Sequence, residues 1–395
     1  MTTMNHTRSF GTELEITGLT VREAAQALRD AGIIAYDSSS NTLGTEEFFE
    51  GPVALSEIRG CGCISCYQSS QRDVLGGQGC PSRAEIAAVW RVVEDGSVSD
   101  GCEVVSPILS GDEGIASLRR IVAILKAAGA SVNNTCGFHV HVNANDLHAA
   151  EMVNAVKRYA RFESQIDSFM APRRRGDNAR WCRSMAGFAD QLDNITGKLS
   201  CKAVAETQEN GIGRYLKLNT AAFLRHGTIE FRQHAGTLNI DKMVNWIVFC
   251  VNFVENSRLS EDFLRSYEQV AQKQMLLDIA KRLIASNRGV HESTIASYWS
   301  VPEASVKDVM VDLLAAYPQF EAYHIDSNGW IKPSKRNVEI PQDAINPPAM
   351  PAGPDMFDNV PERAVTYLRR RAEGYGHPLA ALGGRIRASV NGIGF

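Results

Sequence analysis

Short runs in which apolar and polar residues alternate with a period of two recur through the first 255 residues, separated by runs with a helical period. Arg8 to Ile16 reads as a strand, with Leu14 and Ile16 on one face and Glu13 and Glu15 on the other. Thr20 to Ala31 reads as a capped amphipathic helix, and Ala88 to Val93 and Cys102 to Ile108 as strands joined by the turn Asp95-Gly96-Ser97. Helices are expected over Asp112 to Ala128 and Asp146 to Met170, with a strand at Phe138 to Val142 between them. Tyr215 to Leu224 and Thr228 to His234 predict a second hairpin about Arg225-His226-Gly227, and Asp241 to Asn256 a long closing helix. Hairpin strands with one polar and one apolar face predict an α+β architecture, an antiparallel sheet with helices on its apolar side.

From Glu261 to about Lys335 the pattern turns mainly helical and ends in Phe320 to Ile331, which carries an Asn328-Gly329 turn. Helices followed by a small hairpin read as a winged-helix-like region. Its middle helix, Pro302 to Ala316, sets Glu303, Asp308 and Asp312 against Lys307, a poor surface for phosphate backbones, so docking or homo-oligomer formation is the expected use rather than nucleic-acid binding. Val338 to Pro361 holds six of the fourteen prolines and reads as an extended linker; Glu362 to Phe395 is an arginine- and glycine-rich tail.

Composition narrows the class. A chain of 395 residues, 44% hydrophobic and with a formal net charge of -4, has the balance of an ordinary globular protein of two or three domains, and no global charge that points to nucleic acid or membrane. Met1 to Phe10 lacks the apolar core of a secretory signal, and the longest apolar stretch, Trp246 to Val254, is under half of the ~20 residues a spanning helix needs. A cytoplasmic protein is expected. Nine cysteines are present; four of them, Cys61, Cys63, Cys66 and Cys80, fall within twenty residues and could together hold one structural zinc.

The alternation also sorts the chemistry. Glu13 and Glu15 share a strand face, as do His139 and His141 in Gly137-Phe-His-Val-His-Val142. The last hairpin aligns Lys217 with Asn219, and Glu230 with Arg232 and His234; Glu103 adds one more carboxylate. Each pattern alone has a plain explanation as surface charge or a cross-strand pair. Four strands with the same arrangement point instead to one sheet face gathering metal ligands and cations. Carboxylates favour hard ions such as magnesium or manganese, and Lys217 and Arg232 suit anionic phosphates. Asn210-Gly-Ile-Gly-Arg214 is too short for a phosphate-binding loop.

Six ordered blocks resemble those of the putative amidoligase family: Phe10-Gly-Thr-Glu-Leu-Glu15, Trp90-Arg-Val-Val-Glu-Asp-Gly-Ser97, Glu103-Val-Val-Ser-Pro-Ile-Leu109, the Gly137 block, Arg173-Arg-Arg-Gly176 and Thr228-Ile-Glu-Phe-Arg232. These proteins are relatives of glutamine synthetase and glutamate–cysteine ligase. The resemblance runs from roughly Ser9 to Asn256 and departs mainly over Thr45 to Arg83, where the cysteines sit. It implies a funnel-shaped antiparallel sheet, ATP and magnesium, and an amide bond made through an acyl phosphate from a carboxylate and an amine of an amino acid, peptide or protein. By motif position it implies Glu13, Glu15, Glu103, His139 and Glu230 as metal ligands, and Arg232 at the transferred phosphoryl group. Lys217 is a second catalytic candidate beside Arg232, and Lys217, Asn219, Arg232, His141 and Arg173 are the candidates for nucleotide contact. Two other readings compete: a hydrolase with a transition metal on His139 and His141, and a non-catalytic binding module.

Overall fold

The computed structural model describes residues 7–40, 87–98, 100–177, 179–192, 199–265, 267, 276, 279–280, 282–283, 289–299, 302–316, 323–333, 362 and 365–366. Cys61, Cys63, Cys66 and Cys80, the proline-rich stretch and nearly all of the tail lie outside the described residues.

Strands β1 (Phe10–Thr17), β2 (Ala35–Asp37), β3 (Trp90–Val93), β4 (Gly101–Val105), β5 (Phe138–Asn143), β6 (Leu218–Asn219) and β7 (Thr228–Phe231) form one sheet in the order β2-β3-β4-β1-β5-β7-β6. Every pairing is antiparallel except β2 with β3. The helices are α1 (Val21–Asp30), α2 (Gly111–Ala127), α3 (Ala149–Phe169), α4 (Ala186–Gln191), α5 (Cys201–Gly211), α6 (Phe223–His226) and α7 (Ile240–Glu255). One sheet face is apolar: Leu14, Ile16, Val104, Phe138, Val140, Ile229 and Phe231 are buried in the same core as Leu28 of α1, Leu118 and Ile121 of α2, Tyr159 of α3 and Trp246 and Phe249 of α7. That burial is the main source of stability and leaves the opposite, polar face available for chemistry.

Local rules explain most boundaries. Thr20 caps α1 by accepting from the Glu23 backbone N–H at 3.3 Å, while the Glu23 carboxylate accepts from Thr20 N–H at 2.8 Å, a reciprocal pair whose cap is worth about 1 kcal/mol. α3 begins at Ala149 rather than at Asp146, because the Asp146 carboxylate is taken by Arg8 and Arg258 and His148 supplies the cap instead, accepting from Ala150 N–H at 3.1 Å.

The second hairpin differs from the pattern the sequence predicts. Only Leu218–Asn219 pairs with β7: the Asn219 side chain accepts from Ala221 N–H at 3.0 Å and turns the chain into α6, which Gly227 ends in the left-handed region at φ 65. β7 stops at Phe231, and the pairing then slips: Val140 opposes Phe231 but Gly137 opposes Ala235, three steps against four. This bulge reverses the alternation beyond it. His234 therefore leaves the face of Glu230 and Arg232; its ring meets Phe138 edge-on at 5.9 Å and tilts over Trp246 at 5.6 Å.

Toward the C-terminus, β8 (Val290–His291), β9 (Tyr323–Ile325) and β10 (Trp330–Pro333) form a second sheet in the order β8-β10-β9, accompanied by α8 (Glu292–Trp299) and α9 (Val306–Ala316). Leu276, Ile279, Leu283, Met310, Leu313 and Ile331 share a separate core. The β9–β10 turn forms where Asn328-Gly329 places it, with Asp326 accepting from Asn328 N–H at 2.9 Å and Trp330 N–H at 3.0 Å. Among the described residues no helix is long and apolar enough to cross a membrane.

Candidate functional site

Residues paired across antiparallel strands project to the same face, so the register alone assembles the polar surface. Glu13 on β1 stands opposite His139 on β5 and Val105 on β4; Glu15 stands opposite Glu103. His141 lies opposite both Gly11 and Glu230, and Glu230 opposite Asn219. Gly11 leaves the space over its own position open to the His141 side chain beside it.

The side chains converge. Glu13 lies between the two histidines, its Oε2 3.2 Å from His139 Nδ1 and its Oε1 3.2 Å from His141 Nε2. Glu230 Oε1 is 3.6 Å from His139 Nδ1 and 3.9 Å from His141 Nε2, and Glu230 Oε2 accepts from Asn219 Nδ2 at 2.7 Å. Glu15 accepts from the Gly137 backbone N–H at 2.5 Å and comes within 3.9 Å of His139 Nε2. Three overlapping sets of ligand atoms result: Glu13, Glu103 and His139; Glu13, His141 and Glu230; and Glu15, Asp95 and Glu103, with all atoms of each set within 4.8 Å of one another.

The electrostatics show what this face lacks. Burial and the negative charges of Glu13, Asp95, Glu15 and Glu230 push the Glu103 carboxyl well above its ordinary range. Burial would raise Glu13 too, but His141 and His139 outweigh it and hold Glu13 well below the ordinary value. His141 is raised: burial opposes its charge, and Glu13 and Glu230 prevail. A set of carboxylate oxygens with one or two imidazoles, crowded enough to raise the Glu103 carboxyl, fits hard divalent cations.

Cations flank the cluster. Arg232 pairs with Glu230, donates from Nε to the Trp181 carbonyl at 3.4 Å and lies over the Tyr215 ring at 5.8 Å. A pocket opens here, lined by Glu13, His141, Glu209 and Glu230 together with Arg214, Arg225 and Arg232; Arg225 pairs with Glu209 at 2.9 Å. Of the three adjacent arginines, Arg174 is the one at the cluster: its Nη2, His139 Nε2 and Glu15 Oε1 all come within 3.4 Å of the point where Gly137 would carry a Cβ.

Thus the structure brings together Glu13, Glu15, Glu103, His139, His141, Asn219, Glu230 and Arg232. It does not bring Lys217, Arg173 or His234 to them. Lys217, 0% exposed, places its ammonium 2.5 Å from Glu163 and 2.7 Å from Asp167, and Arg173 donates outward to Asn134 at 2.8 Å. Asp95, Arg91, Arg174, Arg214 and Arg225 are additions. Arg91 carried a usable signal, since it sits two residues before Val93 on the strand facing Glu103 and so shares the polar face. Its Nε is buried without a hydrogen-bond partner.

A model of the family described as "Putative amidoligase enzyme" matches residues 6–254, which contain every residue of this cluster. A search of curated proteins returned no match.

Proposed function

The chain belongs to the putative amidoligase family, and on that premise we propose that it is an ATP- and magnesium-dependent carboxylate-amine ligase acting on an amino acid, peptide or protein substrate. The observation that carries this reading is the pocket lined both by potential cation ligands, Glu13, His141 and Glu230, and by the guanidinium groups of Arg214, Arg225 and Arg232. A metal-bound polyphosphate suits both kinds of group at once.

In the proposed reaction a substrate carboxylate oxygen attacks the γ-phosphorus of ATP, the bond to the β-phosphate oxygen breaks, and ADP leaves. The amine nitrogen then attacks the acyl carbon of the acyl phosphate; the carbon–oxygen bond breaks, inorganic phosphate leaves, and the nitrogen gives up its proton to solvent. Glu13, Glu15, Glu103, His139 and Glu230 are the residues to hold magnesium or manganese, with Asn219 orienting Glu230. Bound metal supplies neutralisation of phosphate charge. Arg232 stabilises the transferred phosphoryl group, and Arg214 and Arg225 hold the remaining phosphates. Such a mechanism works through positioning and charge and needs no nucleophilic side chain.

The competing hydrolase would place His139 and His141 on one transition metal. Their ring nitrogens approach opposite oxygens of Glu13 and fall into different ligand sets, which favours carboxylate-dominated sites instead.

The test is the melting temperature of the full chain with magnesium and ATP together, against magnesium, ATP or EDTA alone. A ligand at about a hundred times its Kd stabilises the fold by about 2.7 kcal/mol. A rise that requires both components, and that Glu13→Gln abolishes, supports the ligase; a fall in EDTA with no response to nucleotide would refute it.

A further inference from the structure

Lys217 is an expensive residue where it stands. A fully buried ammonium is tolerable only when it is paired and hydrogen-bonded, and here two partly exposed carboxylates reach in to it. Every member is hydrogen-bonded, and the partners lead to the active face. Glu163 and Asp167 lie one turn apart on α3. Glu163 Oε2 accepts from Ser184 Oγ at 3.0 Å and Met185 N–H at 2.9 Å. Asp167 Oδ2 accepts from Gly176 N–H at 2.8 Å, which ties down the turn that carries Arg174. Gln233 donates from Nε2 to Asp167 and, at 2.9 Å, to the Arg174 carbonyl, and accepts from Tyr159 O–H at 2.6 Å. The Lys217 carbonyl accepts from Arg232 N–H at 2.9 Å.

The backbone beside Arg174, whose guanidinium lies by His139, and that of Arg232, whose guanidinium pairs with Glu230, are thus anchored to one network. Arg174 arrives on the Glu15 side of His139, and Arg232 on the Glu230 side. We propose that the Glu163–Lys217–Asp167–Gln233 network is a positioning device that sets the spacing of Arg174 and Arg232 across the ligand cluster, with Lys217 its central residue and not a phosphate contact. Lys217 belongs to it because its charge holds two carboxylates together while its backbone holds Arg232. Gln233 belongs to it because it joins that pair to the Arg174 backbone. Gln233 follows Phe231 by two residues and so keeps to the apolar face, where Tyr159 of α3 meets it at the point where the regular strand ends. The affinity readout below rests on the proposed metal-nucleotide site; the exchange readout does not.

Two variants of the full chain, Lys217→Met and Gln233→Leu, are compared with the wild type by amide hydrogen exchange and by calorimetric binding of a non-hydrolysable ATP analogue with magnesium. In Lys217→Met, the peptides holding Gly176 and Arg232 should lose protection together while those of β1 and α2 keep theirs. In Gln233→Leu, the Gly176 peptide should loosen and the Arg232 peptide should not. The Kd of the magnesium-bound analogue should rise roughly 10- to 100-fold in Lys217→Met, the range of residues that orient a metal site from behind its ligands. Adding Arg232→Ala to Lys217→Met should then cost less than it costs alone. Weaker binding with unchanged exchange would overturn the proposal by making Lys217 a direct phosphate contact. A uniform loss of protection that includes β1 and α2 would overturn it as ordinary core damage. If Lys217→Met does not fold, Gln233→Leu decides alone, and unchanged exchange at Gly176 overturns the proposal. A wild type that fails to bind the analogue refutes the ligase reading and leaves the exchange result to judge the network.

Discussion

Glu103→Gln separates the stability of this protein from its function more sharply than any other single substitution at the cluster. Glu103 belongs to two of the three ligand sets, and its neighbours Glu15 and Asp95 present oxygens within 4.8 Å. Two unit charges at that distance repel by about 3.5 kcal/mol at an effective dielectric of about 20. Burial first, and then the charges of Glu13, Asp95, Glu15 and Glu230, shift Glu103 well toward its protonated form. Folded protein therefore holds a proton that the unfolded chain has lost, so stability falls as pH rises from the ordinary glutamate value of 4.5 toward the raised folded value. Glutamine keeps the size and removes the charge. Near neutral pH in EDTA it should stabilise the fold by about 1–3 kcal/mol, the usual span of one substitution. That amounts to about 2–4 °C per kcal/mol in a domain of this size, and the variant should also flatten the decline with pH. The same change removes a proposed metal ligand, so the rise in melting temperature with magnesium and nucleotide should disappear. Melting curves in EDTA and in excess magnesium, run across pH, give both numbers. A variant that melts below the wild type in EDTA, or that keeps the full response to magnesium, would refute the account of Glu103 as a carboxylate held in reserve for a cation.

Other consequences can be checked without any substrate. Arg8 is buried and donates to Asp146 at 2.6 and 2.8 Å and to the Asn143 carbonyl at 2.5 Å while pairing with Glu255; because both carboxylates keep contact with water, Arg8→Met should cost about 1.5–3 kcal/mol in urea unfolding; a neutral result would make these pairs ornamental. The Arg8 hydrogen bond is the leading cause that holds Asp146 below its ordinary 3.8, so the stability it lends is present above that pH and lost as pH falls through the lowered value, and the wild type should lose more than Arg8→Met on acidification. Gly227→Ala forces an L-residue into the left-handed region at φ 65 and sets a Cβ 2.3 Å from the Asn145 side chain. The backbone alone should cost about 1–2 kcal/mol, and an unchanged urea midpoint would contradict the turn geometry.

What the sequence discloses and what it conceals follows from range. The alternation in β1, β4 and β5 is a property of adjacent residues, so the shared faces of Glu13 with Glu15 and His139 with His141 are visible in a single line of text. Polar patterning ceases to inform where a bulge or a long-range partner intervenes. His234 is on phase with Glu230 in the sequence and out of phase in the fold, because one extra residue in β7 reverses the face. Lys217 has the chemistry of a phosphate ligand, but its carboxylate partners come from α3, far along the chain. Among Arg173, Arg174 and Arg175 composition cannot choose; the turn that starts at Pro172 aims the second one at the cluster.

β1 occupies the middle of its sheet, and both of its neighbours are made later: β4 is paired through Val105, and β5 through His139. During synthesis the first strand must wait for some eighty residues before β4 can pair one edge and for over a hundred before β5 can pair the other. Such contacts between distant residues make folding slow and leave an apolar strand open to the wrong neighbour. Glu13 and Glu15 answer this hazard. The two carboxylates that crowd each other in the finished sheet are, on the waiting strand, charged gatekeepers that discourage its stacking on other chains.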